Sequence, residues 1–477
     1  MSDLTPRKPY RPLTWPDAVL DMHELLEQSS DEVYLVGGAV RNAMLGRAIK
    51  DIDLATPGDS VGLARRIANH FPGGAFFVMD EERGVARAII ETMHGPVDVD
   101  VARFRGEPGD ILDDLSDRDF TVNAMMVDLR GDLERIIDPL NGEQDVAAKV
   151  IRRCGESSVL SDPIRALRAV RQSQQLSFKI EPETLKDVRA ASGQMNTVSP
   201  ERIRDELFKV LELQRPAAAV RVMHVIGLLD AIVPVTAVSG KDGVRRICTA
   251  LDKASELTGG LFPGGTTGNL AQNFGYGLAL TQITHVRKQL ETHLQTVWAS
   301  HRPHRGLFML EILLQDFPTD DGSLEAVAAR LRLSNNERKR LVQVISHRSA
   351  LMDIENFNAL SLHRFWYQLR GAGVDVCLLT LVDYLAQKGV HLEQYRWLQR
   401  VEKVRLALEA YFLDYDSVVS PPALVTGTEL IDGLKIEAGP IIGDLLTAIR
   451  EAQVVGEVKT ASEALAYARA ALGDDAR

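Results

Sequence analysis

Val36-Gly-Gly-Ala-Val-Arg41, followed ten residues later by Asp51-Ile-Asp53, is the stretch on which the reading of this chain turns. The run Val33-Tyr-Leu-Val36 is apolar, β-branched and aromatic and stops at Gly37-Gly38, which predicts a buried strand ending in a tight turn. A helix over Ala39–Leu45 should follow. Glycine lets the backbone approach a ligand closely, and free N–H groups at a helix N-terminus bind anionic oxygens. Gly37 and Gly38 are therefore candidates to cradle a triphosphate, with Arg41 adding charge. Asp51 and Asp53 alternate with Ile52 and Leu54, so on a strand both carboxylates share a face. There they can hold Mg²⁺ ions that activate an attacking hydroxyl and neutralise a leaving pyrophosphate. Asp100 is the best third carboxylate, in the alternating run Val97-Asp-Val-Asp-Val101, with Asp98 on the same face. An isolated Asp-x-Asp is more often a solvated strand edge, so the surrounding sequence has to decide.

Composition narrows the field. With 477 residues, 45% of them hydrophobic, the chain is long enough for two to four packed domains. It has no run of about 18 apolar residues and no secretory h-region, which points to a cytoplasmic protein without a membrane role. Cys154, Cys248 and Cys377 are isolated and read as core thiols. A net charge of −11 argues against nonspecific coating of nucleic acid. From about residue 144 the pattern changes from period 2 to period 3.6, as in Asp162–Gln175, Ser199–Leu213 and Ala217–Leu229, and stays helical. The fold class is thus α+β: an α/β head followed by an all-α neck, body and tail. Thr258–Gly268 reads as the clearest loop in the body, and Ser420-Pro421-Pro422 as a second break.

Five segments in order resemble the class II tRNA nucleotidyltransferases (CCA-adding enzymes) and the related bacterial poly(A) polymerases. Val36–Arg47 with Lys50–Thr56 is similar to the triphosphate and metal motif, with Asn42 where Asp is usual. Asp100-Val-Ala-Arg-Phe-Arg105 resembles the third-carboxylate strand. Asp117-Arg-Asp-Phe-Thr-Val-Asn-Ala124 resembles the motif that contacts the nucleotide sugar, with Asp117 for the first Arg and with Arg118 and Asp119 in place. Asp138–Asp145 resembles the hinge between head and neck, and Glu201-Arg202 with Glu206-Leu207 a later neck motif. Ser161-Asp162-Pro-Ile-Arg165-Ala-Leu-Arg168-Ala-Val-Arg171 is similar to the Glu-Asp-x-x-Arg motif that replaces a nucleic-acid template, with Ser161 for Glu. The resemblance implies that Asp162 and Arg165, neighbours at i, i+3 on a helix, address one base edge, with Arg168 and Arg171 contacting the nucleotide less directly.

The resemblance also implies the activity: C, C and A are added from CTP and ATP to the 3′ end of tRNA without a template and without DNA, with pyrophosphate released and Mg²⁺ held by Asp51, Asp53 and Asp100. The alternatives are a poly(A) polymerase or a CC-only or A-only enzyme, a noncatalytic RNA-binding protein, or a metal-dependent phosphohydrolase. Against the last, Leu307–Asp316 resembles the helix carrying a His-Asp ligand pair, but Gln315 replaces the His. His301 and His304 then read as surface or capping residues. The expected division is a flexible segment 1–30, a catalytic head 31–148, a base-recognition neck 149–215, a degenerate His-Asp-like, RNA-binding body 216–420 and a tail 421–477. Residues 325–405 carry 13 Lys or Arg against 8 Asp or Glu. Arg338-Lys339-Arg340 and Arg396, Arg400 and Lys403 are therefore candidates to meet RNA phosphates.

Overall fold

The computed structural model describes residues 4–93, 95–105, 110–262, 279, 281–388 and 393–474. A six-stranded mixed sheet forms the head, built from β1 (Tyr34–Val36), β2 (Asp51–Thr56), β3 (Ala75–Asp80), β4 (Val85–Thr92), β5 (Gly95–Arg103) and β6 (Met126–Asp128). The strand order is β3-β4-β5-β2-β1-β6, with β2 and β5 parallel and the other pairs antiparallel. Ile52, Leu54, Ala86, Ala88, Val99 and Val101 are buried. The alternate positions on β4 and β5 stay partly open, which is the period-2 pattern expected of a sheet with one buried face. β3 was not expected. Phe76-Phe77-Val78-Met79 is a continuous apolar run at a sheet edge, with Phe77, Val78 and Met79 exposed, so it carries no alternation to recognise.

Residues 4–30 are not the flexible lead-in that the polar, Pro-rich sequence suggested. Arg7 bridges Ile136 through two backbone hydrogen bonds of 2.9 Å, and its guanidinium pairs with Asp138 at 3.1 Å and with the buried Glu143. The helix Asp17–Leu26 buries Val19, Met22 and Leu26.

The chain divides into two compact units, residues 1–202 with 222–232, and residues 203–221 with 233–477. In the first unit the sheet is followed by the helices Gly142–Ala148, Ile164–Leu176 and Pro182–Ser192. The expected helix Ala217–Leu229 is two, Pro216–Val225 and Leu228–Ile232, because Gly227 sits between them at φ +79°. The second unit is helical. Its first long helical stretch, Val235–Leu261, is broken at Gly240 (φ +66°), and the part beyond the kink takes in Thr258–Leu261, which the glycines Gly259 and Gly260 had suggested was loop. The rest of that expected loop, residues 263–268, lies outside the described residues. Among the described residues no helix is long and apolar enough to cross a membrane.

Candidate active site

The parallel register of β2 and β5 sets Asp51 beside Asp98 and Asp53 beside Asp100, so four carboxylates stand in two rows on one face. β1 delivers Gly37 to the same place, because Val36 pairs with Asp53. Gly37 has φ +71°, and a Cβ there would lie 3.0 Å from Asp53 Oδ2 and 3.6 Å from Arg118 Nη1. Conformation and crowding both require glycine. The helix Gly38–Leu45 starts at this turn. Burial pushes the Asp53 carboxyl up; the neighbouring Asp100 and Asp51 add to the shift, and Arg118 and Arg168 oppose it. Arg118 is aimed by two hydrogen bonds to Asp114 Oδ2, at 2.7 and 2.9 Å.

Sequence reading missed Arg87. Opposite Asp100 in the β4–β5 register, it grips that carboxylate bidentately, Nε to Oδ1 at 2.6 Å and Nη2 to Oδ2 at 2.8 Å, and reaches Asp98 at 2.5 Å. The signal was there: in Val85-Ala-Arg-Ala-Ile89 the alanines take the buried face, which leaves Arg87 on the face of the carboxylates.

Arg41 points inward, to other side chains of the head. It is buried, donates to Asn123 and to Asn42 Oδ1 at 3.0 Å, and burial lowers its pKa to about 10. Asn123 donates in turn to Asp119 Oδ1 at 2.9 Å. Asp119 also accepts from Arg168 Nε at 2.8 Å and from the Phe120 N–H at 2.9 Å. Burial alone would raise the Asp119 carboxyl, but Arg168 and these donors hold it well below the usual carboxylate range. Arg168 is thus tied to the 118–119 motif, while Arg171 donates to Gln175 Oε1 one turn on, at 2.9 Å.

Asp162 is not on the helix. It lies between Ser158–Ser161 and Ile164–Leu176 in a non-helical conformation, because Pro163 disfavours helical backbone in the residue before it. The pair still meets, with Arg165 Nε 3.8 Å from Asp162 Oδ2. Arg165 is buried and donates to three carbonyls, Asp117 O at 2.7 Å, Ser158 O at 3.0 Å and Arg118 O at 3.2 Å. Asp162 is held bidentately by Arg202, at 2.7 and 3.0 Å, a partner not foreseen as part of the site.

In the body, His304 is neither surface nor a simple cap. It is buried and donates from Nε2 to Asp375 Oδ1 at 2.8 Å, where His293 Nε2 also arrives at 2.8 Å. The grouping His293, His304 and Asp375 is of metal-ligating type. However, the Trp298 indole N–H, which can only donate, points at His304 Nδ1 from 2.8 Å. That bond leaves the proton of the neutral ring on Nε2 and its lone pair unavailable, so the trio is a hydrogen-bond network in this arrangement rather than an ion cage. Of the basic candidates, Arg340 is spent on Asp375 Oδ2 at 3.3 Å, Lys403 donates to Ile354 O at 2.6 Å and Arg396 pairs with Glu393 at 3.0 Å.

Residues 33–152 match the family described as the poly A polymerase head domain, and residues 177–239 one described as a probable RNA and SrmB-binding site of polymerase A. An A-adding tRNA nucleotidyltransferase of Deinococcus radiodurans is 31% identical over 454 residues, covering 91% of this chain and 94% of the relative. The chain belongs to the class II tRNA nucleotidyltransferase family. It is therefore a nucleotidyltransferase, and a divalent-metal requirement goes with the family. A CC-adding tRNA nucleotidyltransferase of Geobacter sulfurreducens is 28% identical, covering 91% of this chain and 90% of the relative. A solved CCA-adding enzyme in complex with ATP, 23% identical, matches the fold with a TM-score of 0.64 over 96% of each chain.

Proposed function

We propose that this enzyme completes the 3′ end of tRNA in the cytoplasm, adding C, C and A from CTP and ATP and releasing pyrophosphate. The observation that carries the reading is the strand register, which gathers Asp51, Asp53 and Asp100 on one face beside the Gly37-Gly38 turn. The donor set is all carboxylate oxygen, the chemistry that suits Mg²⁺, and an upward-shifted Asp53 among anions is a site that a cation relieves. Asp51, Asp53 and Asp100 would hold the ion, which would supply activation of the RNA hydroxyl and neutralisation of the leaving phosphates. Gly37 and Gly38 bind phosphate oxygens through their backbone, and Arg118, aimed by Asp114, adds charge there. Asp119, with Arg168 fixed on it, orients the nucleotide sugar. Asp162 and Arg165 face the base edge with one acceptor and one cationic donor, and Arg171 lies one turn further on.

A-only addition is the second reading, favoured by the name of the 31% identical relative. The test supplies tRNA ending before the first C, after C and after CC with each labelled NTP singly and paired. Growth of the shortest acceptor to full length with CTP and ATP supports CCA addition; growth of the CC acceptor alone with ATP refutes it. In parallel, Asp51→Ala and Asp53→Ala should each lower incorporation at least 10³-fold with the melting temperature retained.

A further inference from the structure

A cavity of about 390 Å³ opens in the helical second unit. Its size is that of a small-molecule site. The helix Val235–Leu261 contributes Arg246, and the helix Ala372–Lys388 contributes Asp383 and Tyr384. Gln315, Asp316, Arg348 and Arg400 complete the functional wall. Two features set it apart from an ordinary polar cleft. Gln315 is more than nine-tenths buried, yet its Oε1 has no hydrogen-bond partner, and neither has the buried Oδ2 of Asp316, which has only Arg246 at 3.6 Å. Leaving such acceptors unmatched is costly unless something else supplies a proton. In the same lining, Arg400 stacks on the Tyr384 ring at 4.4 Å and makes no hydrogen bond or ion pair with a described residue. Arg348 is anchored through Gln315 O at 2.6 Å and lies 3.7 Å from Asp316.

The cavity thus offers guanidiniums and orphaned acceptors together, with Arg246 and Arg348 at 3.6 and 3.7 Å from Asp316 and Arg400 free of any such partner. A ligand that satisfies both carries an anion and hydroxyl or amino hydrogens. Arg400 has no acidic partner and Arg348 only a long contact with Asp316, so an anion can lie between them, and planar Arg forks match phosphate oxygens in pairs. We propose that this cavity binds a phosphorylated ribonucleoside, its phosphate on Arg400 and Arg348 and its hydroxyl or amino groups on Gln315 and Asp316. The site is separate from the head and does not depend on the reaction assigned there. Asp383, raised to about 6 chiefly by burial, is partly neutral near pH 6, which lessens its repulsion of a phosphate.

The same chemistry can come from a free nucleotide or from a residue of an RNA chain, and one experiment separates them. The full chain is photolabelled with 8-azidoadenosine 5′-monophosphate, with AMP or a tRNA lacking its 3′ end as competitor, and labelled peptides are identified by mass spectrometry. Label should fall on residues 315–352 and 380–400, and Arg400→Gln or Gln315→Leu should weaken it at least tenfold, the loss of one charge-assisted or buried hydrogen bond. Incorporation at the head from saturating CTP and ATP onto a short acceptor should stay unchanged in Gln315→Leu, and Arg400→Gln should keep the wild-type melting temperature, showing that both fold. Displacement by AMP identifies a free nucleotide as occupant; displacement by the truncated tRNA alone identifies an RNA residue. Label confined to the head, or body label indifferent to both substitutions, overturns the proposal.

Discussion

Carboxylates crowded on two adjacent strands repel one another, and Arg87 is the side chain that offsets them. With Arg87→Gln, Asp98 and Asp100 lose a bidentate cation, and hydrogen bonds to charged groups are worth about 1.5–3 kcal/mol. Partial exposure of all three side chains brings this toward the lower end. The metal-free variant should therefore melt about 3–6 °C below the wild type, and millimolar Mg²⁺ should recover more of that loss than it adds to the wild type. Equal stabilisation of both proteins, read by thermal melting, would contradict the role. Arg165 needs two substitutions, because it both faces Asp162 and supports the 117–118 backbone. Arg165→Ala should lose stability as well as selectivity, whereas Arg165→Lys should keep most of the stability and still relax discrimination against UTP and GTP about 5- to 150-fold, the worth of one bidentate base contact. Competition among the four NTPs measures this; unchanged selectivity in the lysine variant removes Arg165 from base reading. At this scale the Asp51, Asp53 and Asp100 positions were legible because strand alternation assigns faces. The inward turn of Arg41 was not, since its acceptor Asn123 stands 82 residues away in sequence.

Among the elements, the helix His304–Leu313 carries a conflict that periodicity cannot express. Glu311 is fully buried within it, and neither carboxylate oxygen has a hydrogen-bond partner. Burial drives its pKa well up; the nearby Asp375 anion raises it further, while Arg340 opposes. A carboxyl raised in the folded state stabilises fully below its unfolded value of about 4.3 and progressively less as pH climbs toward the folded value. Glu311→Gln removes that penalty, so the variant should match the wild type near pH 4 and melt several degrees higher at pH 8. A gap that is constant with pH would mean that Glu311 is ionised in the fold. The His304–Asp375–His293 network beside it was invisible in sequence, because its members come from three helices spread over 83 residues. By contrast, the strand carrying Val97–Val101 and the Ile164–Leu176 helix were readable from local pattern, the helix start moving where Pro163 excludes Asp162 from the first turn.

For the molecule as a whole, the division differs from a cut at 215. Residues 203–221 belong with the helical unit and residues 222–232 with the head unit. Leu228, Leu229 and Ile232 are fully or almost fully buried, and their helix packs on Pro182–Ser192. A fragment of residues 1–202 should therefore expose the surface these three cover and melt well below the head in the full chain, or aggregate. A fragment 1–202 that melts with the full-length head would show that the returning helix is dispensable. Periodicity reads each helix singly and has no means of saying which core a helix joins, so head and body were legible while their boundary was not.

That returning helix sets a clock on synthesis. When Arg202 has been made, the head still lacks its last core segment until Ile232 follows, 30 residues later. At about 5–20 residues/s the ribosome takes roughly 2–6 s to supply it. During that interval the helix Pro182–Ser192 waits with an open apolar seam, and the nascent chain is most dependent on chaperones there, before any of the long body helices exists.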